Sequence, residues 1–370
     1  MNDSSFTNKE NDERTTPLKK KKITTPALFK DGIKLILQNW IRIADIKLGW
    51  IDDFEKLIMD YAKHFKLLKI LYVQLSMVSA RLSPDGKRVV IVPYSAVIRI
   101  WDIATKVQSQ TFSGHGDSVT AAEFSPDGCT IVSGANDKTI RFWDVKTGTE
   151  VMKWGMDHIQ VMQNIYSKRS KLDFKIVCDV KFSPNGKSIA VGLSDNTIEL
   201  RDVQSGNIIQ QLRGHVGRVW SVQFSSNGQM IVSASSDSTI GVWSVNTGEI
   251  LKQLKGHSGG VTCAIFSPDD RFIASCSHDT TIRIWDVQSG ETVTILEGHS
   301  SYVTCIRYFP DGQKIVSCSG DRTIRIWDIK SKQEIQKLKG HSEGVIGVDI
   351  SQDGNTIISC AYDKTVRVWE

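Results

Sequence analysis

The sequence lacks the features that mark membrane proteins and secreted disulfide proteins. It has no uninterrupted apolar run of about 18 residues, which a membrane-spanning helix needs, and its first residues are not the apolar core of a secretory signal. Its seven cysteines form no Cys-x-x-Cys pair. We therefore expect an intracellular protein, in the cytoplasm or the nucleus. Its cysteines are interpreted as reduced residues in or near the core, not as disulfides or zinc ligands.

Features of most enzyme classes are also missing. The sequence has no glycine loop suited to cradling phosphate, no nucleophile motif and no unique His, Asp or Glu cluster with ligand spacing. We expect no enzymatic activity, no cofactor and no metal. The net charge is +5, of which residues 76–370 contribute only +1, from 32 Lys and Arg against 31 Asp and Glu. A near-neutral region offers no broad phosphate-binding field, which argues against general nucleic-acid binding.

The first 65 residues have a different composition from the rest. Residues 1–26 are polar and basic, and we predict a disordered tail. The run from Lys19 to Lys22, flanked by two Thr-Pro pairs, is either a nuclear import signal tuned by phosphorylation or simply a solvated tail. Residues 27–65 are predicted to form two amphipathic helices, because apolar residues recur there every three or four positions up to Phe65 and Leu68. Their apolar faces would pack on the rest of the chain, on each other or on a partner chain, including a second copy.

A repeat dominates residues 66–370. The repeated pattern is Gly-His, a strand, Ser-Pro-Asp-Gly, a strand containing Ser, an Asp-x-Thr-Ile turn and a strand ending Trp-Asp, and the copies follow it with local variations. Successive tryptophans lie 42 residues apart from Trp243 to Trp369, and Trp143 follows Trp101 by the same step. The gap of 100 residues from Trp143 to Trp243 holds a further, degenerate copy with an insertion. A period of about 40–45 residues with these marks is typical of propeller blades.

This pattern resembles the WD-repeat family. The resemblance implies an all-β fold, a seven-bladed β-propeller of four-stranded antiparallel blades, preceded here by the short helical segment. The chain stops after the third strand of its last copy, so the resemblance implies that residues 66–71 supply the fourth strand and close the ring. A rival interpretation runs the second helix through these residues.

Five copies carry His, Ser, Asp and Trp at matching positions, a set that first suggests a Ser-His-Asp hydrolase. An active site occurs once, whereas this set occurs five times, and the resemblance implies instead a structural hydrogen-bonded chain from Trp to Ser to His to Asp. These predicted structural tetrads are His115, Ser133, Asp137, Trp143; His215, Ser233, Asp237, Trp243; His257, Ser275, Asp279, Trp285; His299, Ser317, Asp321, Trp327; and His341, Ser359, Asp363, Trp369.

Two copies depart from the pattern. The first keeps Trp101 but has Ser95 in the Asp position and no Gly-His. The third has Arg201 in the Trp position, no Ser, and an insertion from about Asp157 to Phe174 that contains three basic residues. That insertion is either a partner contact or the ordinary drift of a surface loop.

The resemblance implies that peptides or proteins bind on the face carrying the Gly-His loops, which we call the top face. Three positions per copy tend to point there, and their distinctive occupants are Trp220, Arg218, Tyr302, Asn136, His278 and Tyr362. Trp220 replaces a residue that is most often Thr, and it either anchors a partner or merely fills the channel mouth. We therefore predict a non-catalytic interaction scaffold of a multiprotein complex. The alternative is a substrate receptor of a cullin-type ubiquitin ligase, because residues 131–146 resemble the receptor box, although Lys146 stands where Arg is usual.

Overall fold

The chain divides into two units, residues 1–63 and residues 64–370. The computed structural model describes residues 64–156 and 175–370. The predicted tail, the predicted helices up to residue 63 and the basic insertion all lie outside the described residues. No helix in the described ranges is long and apolar enough to cross a membrane.

The described residues form 28 β-strands arranged in seven four-stranded antiparallel sheets. Blade 7 takes its outer strand from β1 (Leu67–Tyr72), the first of the described strands. Blade 1 contains β2 (Met77–Leu82), β3 (Arg88–Pro93), β4 (Val97–Asp102) and β5 (Gln108–Ser113). Blade 2 contains β6 (Val119–Phe124), β7 (Thr130–Ala135), β8 (Thr139–Asp144) and β9 (Glu150–Gly155). Blade 3 contains β10 (Val177–Phe182), β11 (Ser188–Leu193), β12 (Ile198–Asp202) and β13 (Ile208–Leu212).

The remaining blades follow in chain order. Blade 4 contains β14 (Val219–Phe224), β15 (Met230–Ser235), β16 (Thr239–Ser244) and β17 (Ile250–Lys255). Blade 5 contains β18 (Val261–Phe266), β19 (Phe272–Ser277), β20 (Ile282–Asp286) and β21 (Thr292–Leu296). Blade 6 contains β22 (Val303–Tyr308), β23 (Lys314–Ser319), β24 (Thr323–Asp328) and β25 (Gln333–Lys339). Blade 7 contains β26 (Val345–Ile350), β27 (Ile357–Ala361) and β28 (Thr365–Trp369), with β1 outside them.

Burial explains the order of the strands within a blade. The second strand is covered on both faces, as in β15, whose last five residues are buried, and it reads as a nearly continuous run of small and apolar residues. The outer strand alternates exposed and covered residues, as in β17. The Ser-Pro-Asp-Gly turn between the first two strands of blade 2 needs its glycine, because Gly128 has φ of 69°. Apolar side chains are therefore buried between neighbouring blades all around the ring, and the turns project from the ring's two faces.

The ring closes through the first strands of the blades. The first strand of each blade contacts that of the next, and β26 of blade 7 contacts β2 of blade 1. These seven strands line the central channel. The prediction of a seven-bladed propeller is therefore confirmed.

The N-terminal strand completes blade 7, also as predicted. β1 pairs antiparallel with β28 from Leu67 opposite Trp369 to Tyr72 opposite Thr365. The rival interpretation, a helix through these residues, is wrong. Of the predicted helical segment 27–65 the structure describes only His64 and Phe65, which are not helical. Phe65 is buried, its ring centroid lies 6.0 Å from that of Phe309, and its amide donates to Gln336 at 2.9 Å. The reason is that β28 would otherwise present an unpaired edge, and only extended chain can cover it.

The cysteines follow the prediction with one exception. All seven are free thiols, and five are buried. Cys178 is half-buried at the channel, whereas Cys129 is exposed in the turn before β7 and is not the core residue that was expected.

Candidate functional site: the top face and the central channel

Each of the five predicted tetrads is a buried hydrogen-bonded chain. In blade 6 the Trp327 indole N–H donates to Ser317 Oγ at 2.8 Å, and Ser317 Oγ lies 2.8 Å from Nε2 of His299. Nδ1 of His299 lies 2.8 Å from Oδ2 of Asp321. One tautomer satisfies every atom, with the serine hydroxyl donating to Nε2 and the Nδ1–H donating to the carboxylate. The chain thus ties the loop before the first strand to the turn before the third.

The same geometry recurs in blades 2, 4, 5, 6 and 7. The Ser Oγ to His Nε2 distance is 2.8 Å in all five, and the Nδ1 to carboxylate distance ranges from 2.7 to 3.0 Å. All five serines are fully buried. A nucleophilic serine must reach a substrate carbonyl, and a fully buried hydroxyl that already serves an indole and an imidazole has no open approach. The geometry therefore favours a structural role over hydrolysis.

The protonation states support this assignment. Burial lowers the pKa of His299, and it outweighs the hydrogen bond to Asp321, which acts in the opposite direction. Burial by itself would raise the pKa of Asp321, but the hydrogen bonds from His299 and Thr323 hold it far below its usual range. At neutral pH the pair is a neutral imidazole against a carboxylate, so the chain is fixed by hydrogen bonds and carries one buried negative charge.

Blade 3 replaces the tetrad with an ion network that the sequence analysis missed. Arg201 donates from Nε and Nη2 to Oε2 of Glu199, at 2.9 and 2.7 Å. Nζ of Lys175 lies 3.0 Å from Oε1 of Glu199 and 3.8 Å from Asp195. Glu199 is fully buried, so its charge requires this compensation. The signal was available, because Glu199 and Arg201 stand two residues apart on one face of a strand.

Blade 1 has no such replacement. The indole N–H of Trp101 and Nε of Arg99 are buried without a hydrogen-bond partner among the described residues. The copy that lacks His and Asp therefore leaves its tryptophan unanchored.

Five of the six predicted partner-binding residues lie on consecutive blades. Trp220 and Arg218 belong to blade 4, His278 to blade 5, Tyr302 to blade 6 and Tyr362 to blade 7. The exposed fractions of Trp220, Tyr302 and Tyr362 are 40%, 39% and 45%. The rings of His278 and Tyr302 meet edge to face with centroids 5.6 Å apart, and the Arg218 guanidinium lies 4.9 Å from the Trp220 ring centroid. The sixth residue, Asn136, is half-buried on blade 2 and stands apart from these.

The structure adds a residue that the sequence analysis missed. Tyr94 is 67% exposed and directly precedes Ser95, in the position that Tyr362 occupies in blade 7. The sequence analysis missed Tyr94 because the first copy has no Gly-His by which its residues could be matched to those of the other copies. The distance to Trp101 would have revealed it, since Tyr94 precedes Trp101 by the same number of residues as Tyr362 precedes Trp369. Blade 1 adjoins blade 7, so the exposed rings continue across five neighbouring blades. We call this set the aromatic arc, and its members are Trp220, His278, Tyr302, Tyr362 and Tyr94.

The position of Trp220 has a structural use in other blades. Thr120, Thr262 and Thr304 occupy the same place in their first strands, and each Oγ1 donates at 2.7 Å to a carbonyl oxygen of the next blade. An indole side chain has no hydroxyl with which to make this bond. Blade 4 therefore forgoes a link that three other blades make and presents an exposed ring instead. The same ring also lines the upper channel. Its position is therefore compatible with both interpretations, an anchor for a partner and a side chain that fills the channel mouth.

The channel has an upper and a lower part. The upper cavity, of about 120 Å³, is bordered by Trp220 of the aromatic arc and is lined mostly by small residues of the first strands. The lower cavity, of about 490 Å³, opens toward the Ser-Pro turns. Arg81, Lys181 and Ser221 line both cavities and mark the boundary between them. Within residues 64–156 and 175–370, no three His, Cys, Asp or Glu side chains are grouped so that they could hold a metal ion.

Comparison with known families agrees with this geometry. The family described as the WDR3 second beta-propeller domain matches residues 60–333, more than half of the chain, and the WD domain, G-beta repeat, matches residues 332–370. The chain belongs to the WD-repeat β-propeller family. Among curated proteins no match to the chain is found. WD-repeat propellers are generally protein-interaction scaffolds, which directs attention to the top face of this one.

Proposed function

We propose that this WD-repeat propeller is a non-catalytic scaffold of a multiprotein complex and binds a peptide or protein segment on its top face. The observation that carries the proposal is the aromatic arc, and above all Trp220. Interface hot spots are rich in Trp, Tyr and Arg, and scattered exposed apolar residues do not usually line up on neighbouring blades. Trp220 also replaces the Thr that links blades elsewhere, so its presence favours binding over stability.

The proposed contact is amphipathic. The rings of Tyr302 and Tyr362 bring apolar faces together with hydroxyl groups, and Arg218 holds a positive charge over the face of Trp220. Such a surface suits an extended segment with an apolar anchor and polar or acidic neighbours.

We place the protein in the cytoplasm or the nucleus, and fusing residues 1–26 to a fluorescent protein tests whether the four-lysine run directs import.

Selection of displayed peptides on the full chain, followed by affinity measurements on variants, tests the proposal. Trp220→Ala should weaken selected peptides by roughly 30-fold, the equivalent of a hot spot of about 2 kcal/mol, while the circular dichroism spectrum stays unchanged. Leu251→Ala is the matched control, because Leu251 is an exposed apolar residue on the outer strand β17 and lies away from the top face. Peptides that tolerate Trp220→Ala as well as they tolerate Leu251→Ala would contradict the proposal.

Isolation of the intact protein with its partners separates the two candidate assemblies. Recovery of cullin and its adaptor in stoichiometric amounts would favour the ubiquitin-ligase receptor over a general scaffold. No contact in the described residues favours the receptor specifically, so the scaffold is the conclusion that we draw.

A further inference from the structure

One part of the aromatic arc, where blades 6 and 7 meet, is built around two glycines. Gly320 begins the turn before the third strand of blade 6, and its amide donates to the carbonyl oxygen of Tyr302 at 3.0 Å. Gly344 ends the loop before the first strand of blade 7, and its carbonyl oxygen accepts the amide of Tyr362 at 3.0 Å. The two glycines touch, since a Cβ on Gly344 would lie 3.3 Å from Cα of Gly320. We call Tyr302, Gly320, Gly344 and Tyr362 the tyrosine–glycine patch.

The glycines make room for the tyrosine rings. Neither has the left-handed backbone that demands glycine. A Cβ on Gly320 would lie 2.7 Å from Cζ of Tyr302, which is a collision. A Cβ on Gly344 would lie 3.6 Å from Cδ2 of Tyr362. Gly320 therefore serves the position of the Tyr302 ring and not the conformation of the turn.

The other copies support this interpretation of Gly320. All six carry a side chain at the same place in the turn, so the turn itself tolerates one. These residues are Tyr94, Asn136, Ser194, Ser236, His278 and Tyr362. The glycine stands only in the blade whose first strand is preceded by a tyrosine, Tyr302.

The patch presents ring faces and a hydroxyl donor. The ring of Tyr302 lies against Gly320 on one side and meets the ring of His278 edge to face on the other. Burial raises the pKa of Tyr362, and the nearby Tyr302 raises it further, so the Tyr362 hydroxyl is protonated at neutral pH and can donate a hydrogen bond. The four residues lie outside the strands, so the patch offers no strand edge to which a peptide could add. A peptide bound here is held through its side chains and its carbonyl oxygens.

The charges beside the patch favour an acidic ligand over a basic one. Arg322 and Lys364 are exposed in the turns that begin with Gly320 and Tyr362, and Glu343 is the exposed carboxylate next to Gly344. The tetrad carboxylates of the same two turns are already matched, because each lies within 4 Å of an arginine of its own blade, at 3.5 and 3.9 Å. Two exposed cations against one exposed carboxylate give the patch a positive surroundings.

We propose that the tyrosine–glycine patch binds a proline within an extended, acidic segment of a partner protein. A proline ring packs on the faces of aromatic rings, and a polyproline-type segment leaves its carbonyl oxygens free to accept hydrogen bonds from tyrosine hydroxyls. Such a segment is already extended before it binds, so little conformational entropy is lost. This inference depends on the function proposed for the top face, and it names the kind of segment that the face binds.

Two displayed peptide libraries test the proposal on the full chain. The libraries are identical, with randomised positions around one fixed central residue, which is proline in one library and alanine in the other. The proline library should be enriched at least about tenfold over the alanine library, the equivalent of one hot-spot contact, with Asp and Glu over-represented beside the proline. Equal enrichment of the two libraries would overturn the proposal, and so would over-representation of Lys and Arg.

Substitutions in the patch locate the binding site. Gly344→Ala adds a methyl group between the glycines and should weaken the selected proline peptides by roughly tenfold. Gly260→Ala is the matched control, because Gly260 has the same place in blade 5 and its Cβ would be equally crowded, 3.3 Å from Cα of Ser236. Tyr362→Ala guards against misfolding of Gly344→Ala, since Tyr362 is 45% exposed in a turn, and it should cause a similar loss with an unchanged Tm.

The outcomes separate this proposal from the one on which it depends. Equal losses in Gly344→Ala and Gly260→Ala would overturn it, as would full affinity in both Gly344→Ala and Tyr362→Ala. Peptides that need Trp220 but accept alanine in place of proline would leave the scaffold function standing and remove only the proline site. No selected peptide from either library would count against both.

Discussion

Replacing Asp321 by Ala should be one of the most damaging single changes on the top face. Its carboxylate accepts four donors: Nδ1 of His299 at 2.8 Å, the amide of Ser300 at 3.2 Å, and the amide and hydroxyl of Thr323 at 3.0 and 2.6 Å. Each net hydrogen bond contributes about 1 kcal/mol, and buried donors left without an acceptor cost more. Allowing for water that enters the turn, we expect a loss of about 3 kcal/mol.

Asp195→Ala in blade 3 provides the matched control. Asp195 occupies the same turn and accepts the amide and hydroxyl of Thr197 at 3.1 and 2.6 Å, but blade 3 has no tetrad histidine. Its ion pair with Lys175 is long, at 3.8 Å, and partly exposed, so it adds little. Two fewer donors predict a smaller loss, about 1 kcal/mol. The difference of about 2 kcal/mol reports the contacts of Asp321 outside its own turn, which are those to His299, to the Ser300 amide and to Arg325 at 3.5 Å.

Thermal unfolding of the full-length variants measures this difference. For about 300 folded residues the unfolding entropy is roughly 0.6 kcal/mol per kelvin, so 3 kcal/mol corresponds to about 5 °C in Tm and 1 kcal/mol to about 1.5 °C. Hydrogen exchange should show faster opening at Ser300 in Asp321→Ala alone. Equal shifts in Tm for the two variants would refute the idea that the histidine tether stabilises the blade.

Two further predictions concern the same framework. Thr304→Val removes the hydrogen bond to Val345 and should lower the free energy of unfolding, measured in urea, by about 1–2 kcal/mol. Thr304→Ser keeps the hydroxyl and should lower it clearly less. Equal losses in the two variants would contradict a stabilising role for this bond. Stability should also fall as the pH drops below about 6.5, because burial lowers the pKa of four tetrad histidines and the unfolded chain then binds protons that the folded chain does not. A Tm that stays level between pH 7 and pH 5 would contradict this. The four histidines are His115, His257, His299 and His341.

Much of the fold follows from local chemistry repeated at a fixed interval. The step of 42 residues from Trp243 to Trp369 predicted the blades, and the truncated last copy led to the closing strand, which β1 forms with β28. A turn motif and a strand pattern are local, so one sequence can show them. The alternative of a helix running on through residues 66–71 failed for the opposite reason. Its residues have helical spacing, but an unpaired strand edge elsewhere in the chain demanded extended structure.

The candidate sites likewise include residues that the sequence could reveal and contacts that it could not. Trp220 and Tyr302 could be picked from the sequence because they break a repeated pattern on a known turn or strand end. The ion pairs of the channel could not be picked, since they depend on which carboxylates reach which cations. Glu123 and Asp349 stand in equivalent strand positions and pair with Lys181 and Arg307 of neighbouring blades, which only the closed ring shows.

The sequence by itself thus determined the blade, its turns and the hydrogen-bonded chain within it, because these depend on residues at fixed short separations. The tertiary structure decided what lies between blades: the threonine links, the run of the aromatic arc and the ion pairs of the channel. Those features join residues of different copies, and closing the ring is what brings them within bonding distance.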